Sequence, residues 1–356
     1  MKTYHALGMM SGTSLDGVDL CLTKLIDFDD HWEFEILDAK TIGYDEVEGN
    51  WKEKLEKAYS TPPEELDEID SEYASFLGQL AKDFISHHQV KVDFIASHGH
   101  TVYHEPENGI TYQLGNHPDI ARVSGHKVVG DFRSDDVALD GEGAPLVPIG
   151  DKFLFGHYEY CLNLGGISNI SFDRDGKRIA FDISPCNMLL NEIAMIKGQS
   201  FDSDGHMARE GRIIEELLGQ WNSLDFYREK GPKSLGREWY EEHFSITQKL
   251  KKNWMPQDLA RTATEHIAIQ VGLVLSHSGQ CLTTGGGARN EYLIERIRHY
   301  SKAKIVIPES RLVDFKEALI FALLGALRLN GENNVLSSVT GALKDHSSGK
   351  IFLPKT

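Results

Sequence analysis

The sequence predicts an α/β protein of two domains, with a duplicated mixed-sheet core and an inter-domain cleft. Three observations carry that class. At 356 residues the chain is long for one core, so two packed domains are the expectation. A strand–glycine–strand hairpin occurs twice, as GMMSGTSLDGVD at 8–19 and LNLGGISN at 162–169, and each opens a run of alternating strands and helices. No low-complexity linker separates the two runs, so the halves are expected to be packed and hinged rather than tethered.

The elements follow in order. Apolar strands flank the first hairpin, and WKEKLEKAY is helical. In EELDEIDSEYASFLGQLAKDFISHH, Leu66, Ile69, Tyr73, Phe76, Leu77, Leu80 and Phe84 recur at helical spacing and mark an amphipathic helix ending near His87–His88. KVDFIASHG is a strand entering a glycine turn, and ITYQLGN and KVVGDF are short strands. SDDVALDGEGAPLVP breaks the pattern with glycines, acids and prolines, as a domain crossover or active-site loop. EYCLNLGGISNISF restarts it as strand, turn and strand; RIAFDISP is a strand and NMLLNEIAM a helix. Helix is expected from Gly205 to Leu250 and from Leu259 to Gly279. QCLTTGGGARNEYLIERIRHY reads as strand, triple glycine and helix, KIVIP as a strand, and FKEALIFALLGALRL as the last helix. The domains are expected to be 1–135 plus 335–356, and 136–334.

The charge balance, 37 basic against 54 acidic residues for a net −17, argues against nucleic acid or an anionic membrane as partner. A small anionic substrate stays open, because a local nest of N–H groups and one arginine override a global field. Cys21, Cys161, Cys186 and Cys281 are far apart with no C-x-x-C pair, as expected of free thiols in a reducing compartment. The first residues lack the apolar core of a signal peptide, and nothing reaches the length of a membrane span, so a cytoplasmic location is expected. A homodimer is the expected oligomer, if one forms.

GTSLDG is not a Walker loop, having no lysine and a strand where a helix should follow. The hairpin can still offer N–H groups and the hydroxyls of Ser11, Thr13 and Ser14 to phosphates, with Asp16 holding Mg²⁺ through water; a plain turn is the alternative. The Gly165–Gly166 turn repeats the device, while Gly285, Gly286 and Gly287 suit a flat base or ribose lying on bare backbone. Asp182, ending an apolar strand, is either a general base or a cap for the next helix. Glu317, at the start of the last helix, is a second acid, or simply favoured there by the helix dipole. His98 and His100 in SHGHTVYHEP are better read as substrate hydrogen-bonders than as zinc ligands, because the spacing fits no established site. FDSDGHMARE lacks the terminal bidentate glutamate of a calcium loop.

Two glycine hairpins followed by strand–GGG–helix resemble the pattern of the actin, Hsp70 and sugar-kinase superfamily. More specifically, GMMSGTSLDGVD, SHGHTVYHEP, QLGN, VVGDFR, GEGAPLVP, LNLGGISN, PKSLGRE, TGGGARN and the EALIFALLG helix resemble the anhydro-N-acetylmuramic acid kinase family, in order and over nearly the whole chain. That resemblance implies a two-domain actin-like ATPase/sugar-kinase fold using ATP with Mg²⁺. It also implies a sugar from cell-wall turnover, opened at its 1,6-anhydro bond and phosphorylated on O6. It places Gly12, Thr13, Ser14, Leu15, Asp16, Gly17, Val18 and Asp19, with Gly165 and Gly166, on the ATP phosphates. Gly285 to Gly287 fall near the adenosine, and Asp182 is the catalytic base. Substrate contacts are expected from Ser11, His98, His100, Asn116, Arg133, Asn187 and Glu317, with Arg133 facing a carboxylate or phosphate. A kinase of a related amino or anhydro sugar, or a non-catalytic regulator on the same fold, are the alternatives.

One departure matters. The family pattern Asp-Thr-Gly-Pro-Gly-Asn reads here Asp182-Ile183-Ser184-Pro185-Cys186-Asn187. Serine and cysteine in place of glycine are expected to add bulk where a sugar or phosphate passes.

Overall fold

The structure, a computed structural model, describes residues 1–12, 15–29, 31–229, 231–244 and 254–354. Two compact units divide the chain, residues 1–154 with 315–356, and residues 155–314.

In the first unit, β1 (Lys2–Ser11) and β2 (Gly17–Asp27) form the hairpin around the glycine turn, and β3 (Trp32–Gly43) returns beside β2. The chain then crosses over through the helix Pro63–Ser86, which buries Leu66, Tyr73, Ala74, Leu77 and Ala81 as its helical spacing demands. That crossover brings β4 (Phe94–Ser97) parallel to β1. A small hairpin, β5 (His100–Glu105) with β6 (Ile110–Leu114), interrupts the sheet before β7 (Val128–Gly130) adds parallel to β4.

The second unit repeats the plan. β8 (Tyr160–Leu164), β9 (Ile167–Arg174) and β10 (Lys177–Pro185) are antiparallel neighbours, and β11 (Gln280–Thr284) and β12 (Lys304–Val306) extend the sheet in parallel from β8. With the C-terminal β13 (Lys350–Phe352) on the edge of the first sheet, the orders are β13-β7-β4-β1-β2-β3 and β10-β9-β8-β11-β12. Each unit thus has an antiparallel three-strand meander whose first strand takes two parallel strands on its free side. This is the duplicated mixed sheet of the actin-like and sugar-kinase fold.

The unit bounds differ from the expected divisions after residues 135 and 334, and packing explains why. The helix Ser310–Asn330 lies on the first sheet so closely that a Cβ on Gly8 would sit 1.8 Å from the Ala318 carbonyl oxygen. Gly325 would likewise strike Phe94 at 2.7 Å, and a Cβ on Gly150, in the helix Val147–Phe155, would strike Ile320 at 2.5 Å. Most of both helices therefore belongs to the first unit. The expected helical region from Gly205 is four short pieces, His206–Glu210, Glu215–Asn222, Asp225–Arg228 and Arg237–Phe244, and its end lies outside the described residues. The helix expected over Leu259–Gly279 runs from Pro256 to Val274. Among the described residues, no helix is long and apolar enough to cross a membrane.

Candidate active site

Asp182 sits in β10 opposite Asn169, at a bulge that shifts register between Asp182 and Ser184. Its Oδ2 accepts the Leu235 N–H at 2.9 Å and the Ser234 hydroxyl at 3.4 Å, while its own N–H donates to the Lys233 carbonyl at 2.9 Å. Burial raises its pKa above the ordinary aspartate value, and the bonds from Leu235 and Ser234 pull the other way. The next helix, Asn187–Met195, has Cys186 as its N-cap, and no side chain caps it. Of the two readings of Asp182, the helix cap drops out and the anchored carboxylate stays.

The residues beside it correct one expectation. Ser184 is fully buried, with its Oγ 3.0 Å from the Ser168 Oγ, and the Ser168 hydroxyl also donates to the Ser184 carbonyl at 2.9 Å. Cys186 is fully buried in the core with Leu189, Leu190 and Ile193, and burial pushes its thiol up to about 12. Both substituents enter the interior of the unit and are satisfied there, so neither adds bulk to an open passage.

Glycine turns converge next to this strand. The Gly165 carbonyl accepts the Asn187 N–H at 3.0 Å, and the Gly166 carbonyl accepts those of Cys186 and Met188 at 2.8 and 3.1 Å. Gly285 has φ +82°, and a Cβ there would lie 2.4 Å from Asn163 Oδ1; on Gly287 it would lie 2.8 Å from Leu164 Cβ. Cβ atoms on Gly286 and Gly166 would meet only Asn187 Nδ2 at 3.5 Å and the Met188 methyl at 4.0 Å. The run is therefore packed against β8 on one side and bare on the other. After it, Asn290 caps the helix Glu291–Tyr300 by accepting the Leu293 N–H at 2.9 Å. Asn187, expected among the substrate contacts, is tied to the Gly165–Gly166 turn, its Nδ2 donating to the Leu164 carbonyl at 2.9 Å.

In the first unit, Thr13 and Ser14 lie outside the described residues. Gly12 accepts the Leu15 N–H at 3.3 Å, and Asp16 is exposed. A Cβ on Gly17 would meet the Ile42 carbonyl at 2.2 Å, so this glycine is needed for β2 to approach β3. Val18 is buried and pairs with Ser11; Asp19 pairs with Met10 and accepts the Thr41 hydroxyl at 2.5 Å.

Around this hairpin the unit gathers several expected residues. The buried Ser11 Oγ lies 3.1 Å from His100 Nδ1 and 2.7 Å from the Tyr44 hydroxyl, which lies 2.7 Å from that of Tyr73. Burial lowers His100 to about 4, so the ring is neutral at physiological pH. Arg133 donates through Nε and Nη2 to His98 Nε2 at 3.0 and 2.9 Å, and through Nη1 to the Gly143 carbonyl at 2.6 Å. Burial raises Glu317, against the attraction of Lys316 and Arg133 and with the repulsion of Asp19 and Asp151. Asn116 has a scaffold position, its Oδ1 accepting the Asp131 N–H at 2.8 Å. Tyr44 and the anchors Ser234 and Leu235 were not among the sequence candidates; Tyr73 was, but only as a core position on its helix. A tyrosine at helical spacing carries no mark that its hydroxyl is used.

The chemistry of these groups suits a nucleotide. Two glycine turns, open at Gly166 and Gly286, and a helix N-terminus in the second unit can take phosphate oxygens and a flat base. Among the described residues no group of three His, Cys, Asp or Glu is arranged to hold a metal ion.

A family model described as anhydro-N-acetylmuramic acid kinase matches residues 4–354. The anhydro-N-acetylmuramic acid kinase of Aliivibrio fischeri is 34% identical, over 99% of this chain and 99% of that protein. That of Hydrogenovibrio crunogenus is 32% identical, over 98% of each. Among solved structures, a xylulose kinase from Lactobacillus acidophilus aligns over 99% of this chain and 94% of its own, at 11% identity and a TM-score of 0.42, so the assignment rests on the sequence matches. The chain belongs to the anhydro-N-acetylmuramic acid kinase family.

Proposed function

We propose that the protein is an ATP-dependent kinase of 1,6-anhydro-N-acetylmuramic acid that opens the internal bond with water and delivers N-acetylmuramate 6-phosphate, returning a cell-wall sugar to metabolism. The observation that carries this reading is Asp182, a carboxylate fixed by Leu235 and Ser234 in the same unit as two glycine turns that are open at Gly166 and Gly286.

Asp182 takes a proton from water as the oxygen attacks C1. The C1–O6 bond breaks, O6 bonds to the γ-phosphorus, and the bridge to ADP breaks. One anhydro sugar, one ATP and one water thus give the 6-phosphate, ADP and a proton, which starts on Asp182. The phosphoryl group captures O6 as it departs, which replaces the separate general acid of a glycosidase. Burial raises the pKa of Asp182 and with it the basicity of its carboxylate.

Gly165 and Gly166, with the hairpin Gly12–Asp19, are assigned to the phosphates and Gly285–Gly287 to the adenosine. Ser11, His100, Arg133 and Glu317 are assigned to the sugar, with Arg133 on its lactyl carboxylate; His98, expected to contact the sugar, has both ring nitrogens engaged by Gly99 and Arg133 instead. Mg²⁺, when bound, neutralises phosphate charge during transfer, and Asp16 would hold it through water. The inward-facing Ser184 and Cys186 remove the reason to look for a different sugar.

The test is product analysis. Purified protein with ATP, Mg²⁺ and 1,6-anhydro-N-acetylmuramic acid is expected to yield ADP and a sugar with one phosphate on O6. Phosphorylation of a different amino sugar in preference to this one would replace the substrate. ATP and sugar binding without turnover would replace the catalytic reading by a regulatory one.

A further inference from the structure

Arg133 is held in an unusual way for a buried guanidinium. Its scaffold consists of neutral acceptors, the imidazole of His98 and the carbonyl of Gly143. His98 is 4% exposed, and its Nδ1 lies 3.0 Å from the Gly99 carbonyl. A carbonyl only accepts, so the Nδ1 carries the hydrogen and Nε2 presents a lone pair to Arg133. Burial, reinforced by Arg133, keeps the ring well below its ordinary pKa, which agrees with that tautomer. Gly143 is fixed in turn, its N–H donating to the buried Asp136 Oδ2 at 2.7 Å, while the Asp136 Oδ1 takes the Thr340 hydroxyl at 2.8 Å. Among the described residues no carboxylate lies within ion-pair distance of Arg133. Glu317 and Asp136 act on it only at longer range.

A guanidinium has five N–H bonds. Three are used here, one each on Nε, Nη1 and Nη2. One is left on each terminal nitrogen, and two free donors suit the two oxygens of a carboxylate. An acidic partner in the position of His98 would hold the side chain as well, but would cancel its charge.

We infer that His98 is a positioning residue that fixes Arg133 without neutralising it, so that the guanidinium keeps its charge and two donors for a carboxylate on the sugar. The inference rests on the proposed function for the identity of the sugar. Its chemistry requires only a ligand that differs from a competitor by one carboxylate.

Two sugars supply that contrast, 1,6-anhydro-N-acetylmuramic acid and 1,6-anhydro-N-acetylglucosamine, which lacks the lactyl carboxylate. Calorimetry measures the affinity of the full chain for each, in the wild type and in the His98→Gln and His98→Glu variants. These variants have the same shape and differ in charge. A charge-assisted bidentate contact implies that His98→Glu weakens the acidic sugar by about ten- to a hundredfold and leaves the neutral sugar within about twofold. His98→Gln, which keeps a neutral acceptor, stays close to wild type with both. A merely structural role for His98 would weaken both sugars together and would overturn the inference, as would equal binding by the Gln and Glu variants. Should His98→Glu not fold, Arg133→Gln gives the same reading, expected to lose selectively the acidic sugar. If the wild type binds the acidic sugar by its carboxylate but makes no 6-phosphate, the proposed function fails and this inference stands.

Discussion

Restoring the family glycine at position 186 tests whether the departure beside Asp182 touches the substrate. Cys186→Gly removes a CH₂–SH group from a fully buried site packed with Leu189, Leu190 and Ile193. At roughly 0.8 kcal/mol for each buried methylene-sized group, the lost transfer energy is about 1.6 kcal/mol. The added backbone freedom of glycine contributes about 0.5–1 kcal/mol more. The sum, about 2–3 kcal/mol, corresponds to a fall in Tm of roughly 4–12 °C at the 2–4 °C per kcal/mol typical of a domain this size. Because the side chain enters the core, the KM values for sugar and ATP are expected to stay within about twofold, a difference of roughly 0.4 kcal/mol. Thermal unfolding followed by circular dichroism, with steady-state kinetics on the same preparation, checks both halves. A KM for the sugar that drops about fivefold or more at unchanged Tm would show that the thiol obstructs the substrate after all.

Asp182→Asn keeps an oxygen able to accept the Leu235 N–H, so fold and ATP affinity are expected to survive while kcat falls by about 10²–10⁴, the usual share of a general base. Wild-type kcat in that variant, measured with ADP release coupled to a dehydrogenase, would remove Asp182 from its role. Stability should also report His266, whose Nδ1 lies 2.7 Å from Asn222 Oδ1 and whose Nε2 lies 2.9 Å from the Tyr227 hydroxyl. Full burial lowers it from 6.5 to about 3, so between those values the unfolded chain binds the extra proton. Its contribution is therefore intact above pH 6.5 and is lost as pH falls towards 3, at up to about 1.4 kcal/mol per pH unit. Urea unfolding of His266→Gln at a series of pH values is expected to show a slope shallower by about that amount, and an unchanged slope would place the titration elsewhere.

The order of strands and glycine turns was legible in the sequence because hairpins announce themselves locally. GMMSGTSLDGVD and LNLGGISN each join two apolar runs, and both appear as β1–β2 and β8–β9. β3 was not among the strands expected, since WEFEILDAKTIG carries exposed and half-buried polar residues along an edge strand and shows no clean apolar run. β13 has only three residues, and two are exposed. The residues around Arg133 were legible as types, from His98, His100 and Arg133 itself, but their roles were not. What decides them is tautomer and charge, set by partners as distant in sequence as Gly143 and Thr340. The bulk expected from Ser184 and Cys186 failed for a related reason. The sequence shows a side chain's size but not its direction, which the bulge after Asp182 controls.

Water labelled with ¹⁸O tests the central claim most directly. In a single turnover with ATP, Mg²⁺ and 1,6-anhydro-N-acetylmuramic acid, quenched before anomeric exchange, mass spectrometry of the sugar phosphate should find one label. Water activated by Asp182 places that label on C1, with none in the phosphoryl group, because O6 is the sugar's own oxygen. Label in the phosphate, or an unlabelled phosphorylated sugar with its 1,6-anhydro ring intact, would contradict the coupling of ring opening to phosphoryl transfer.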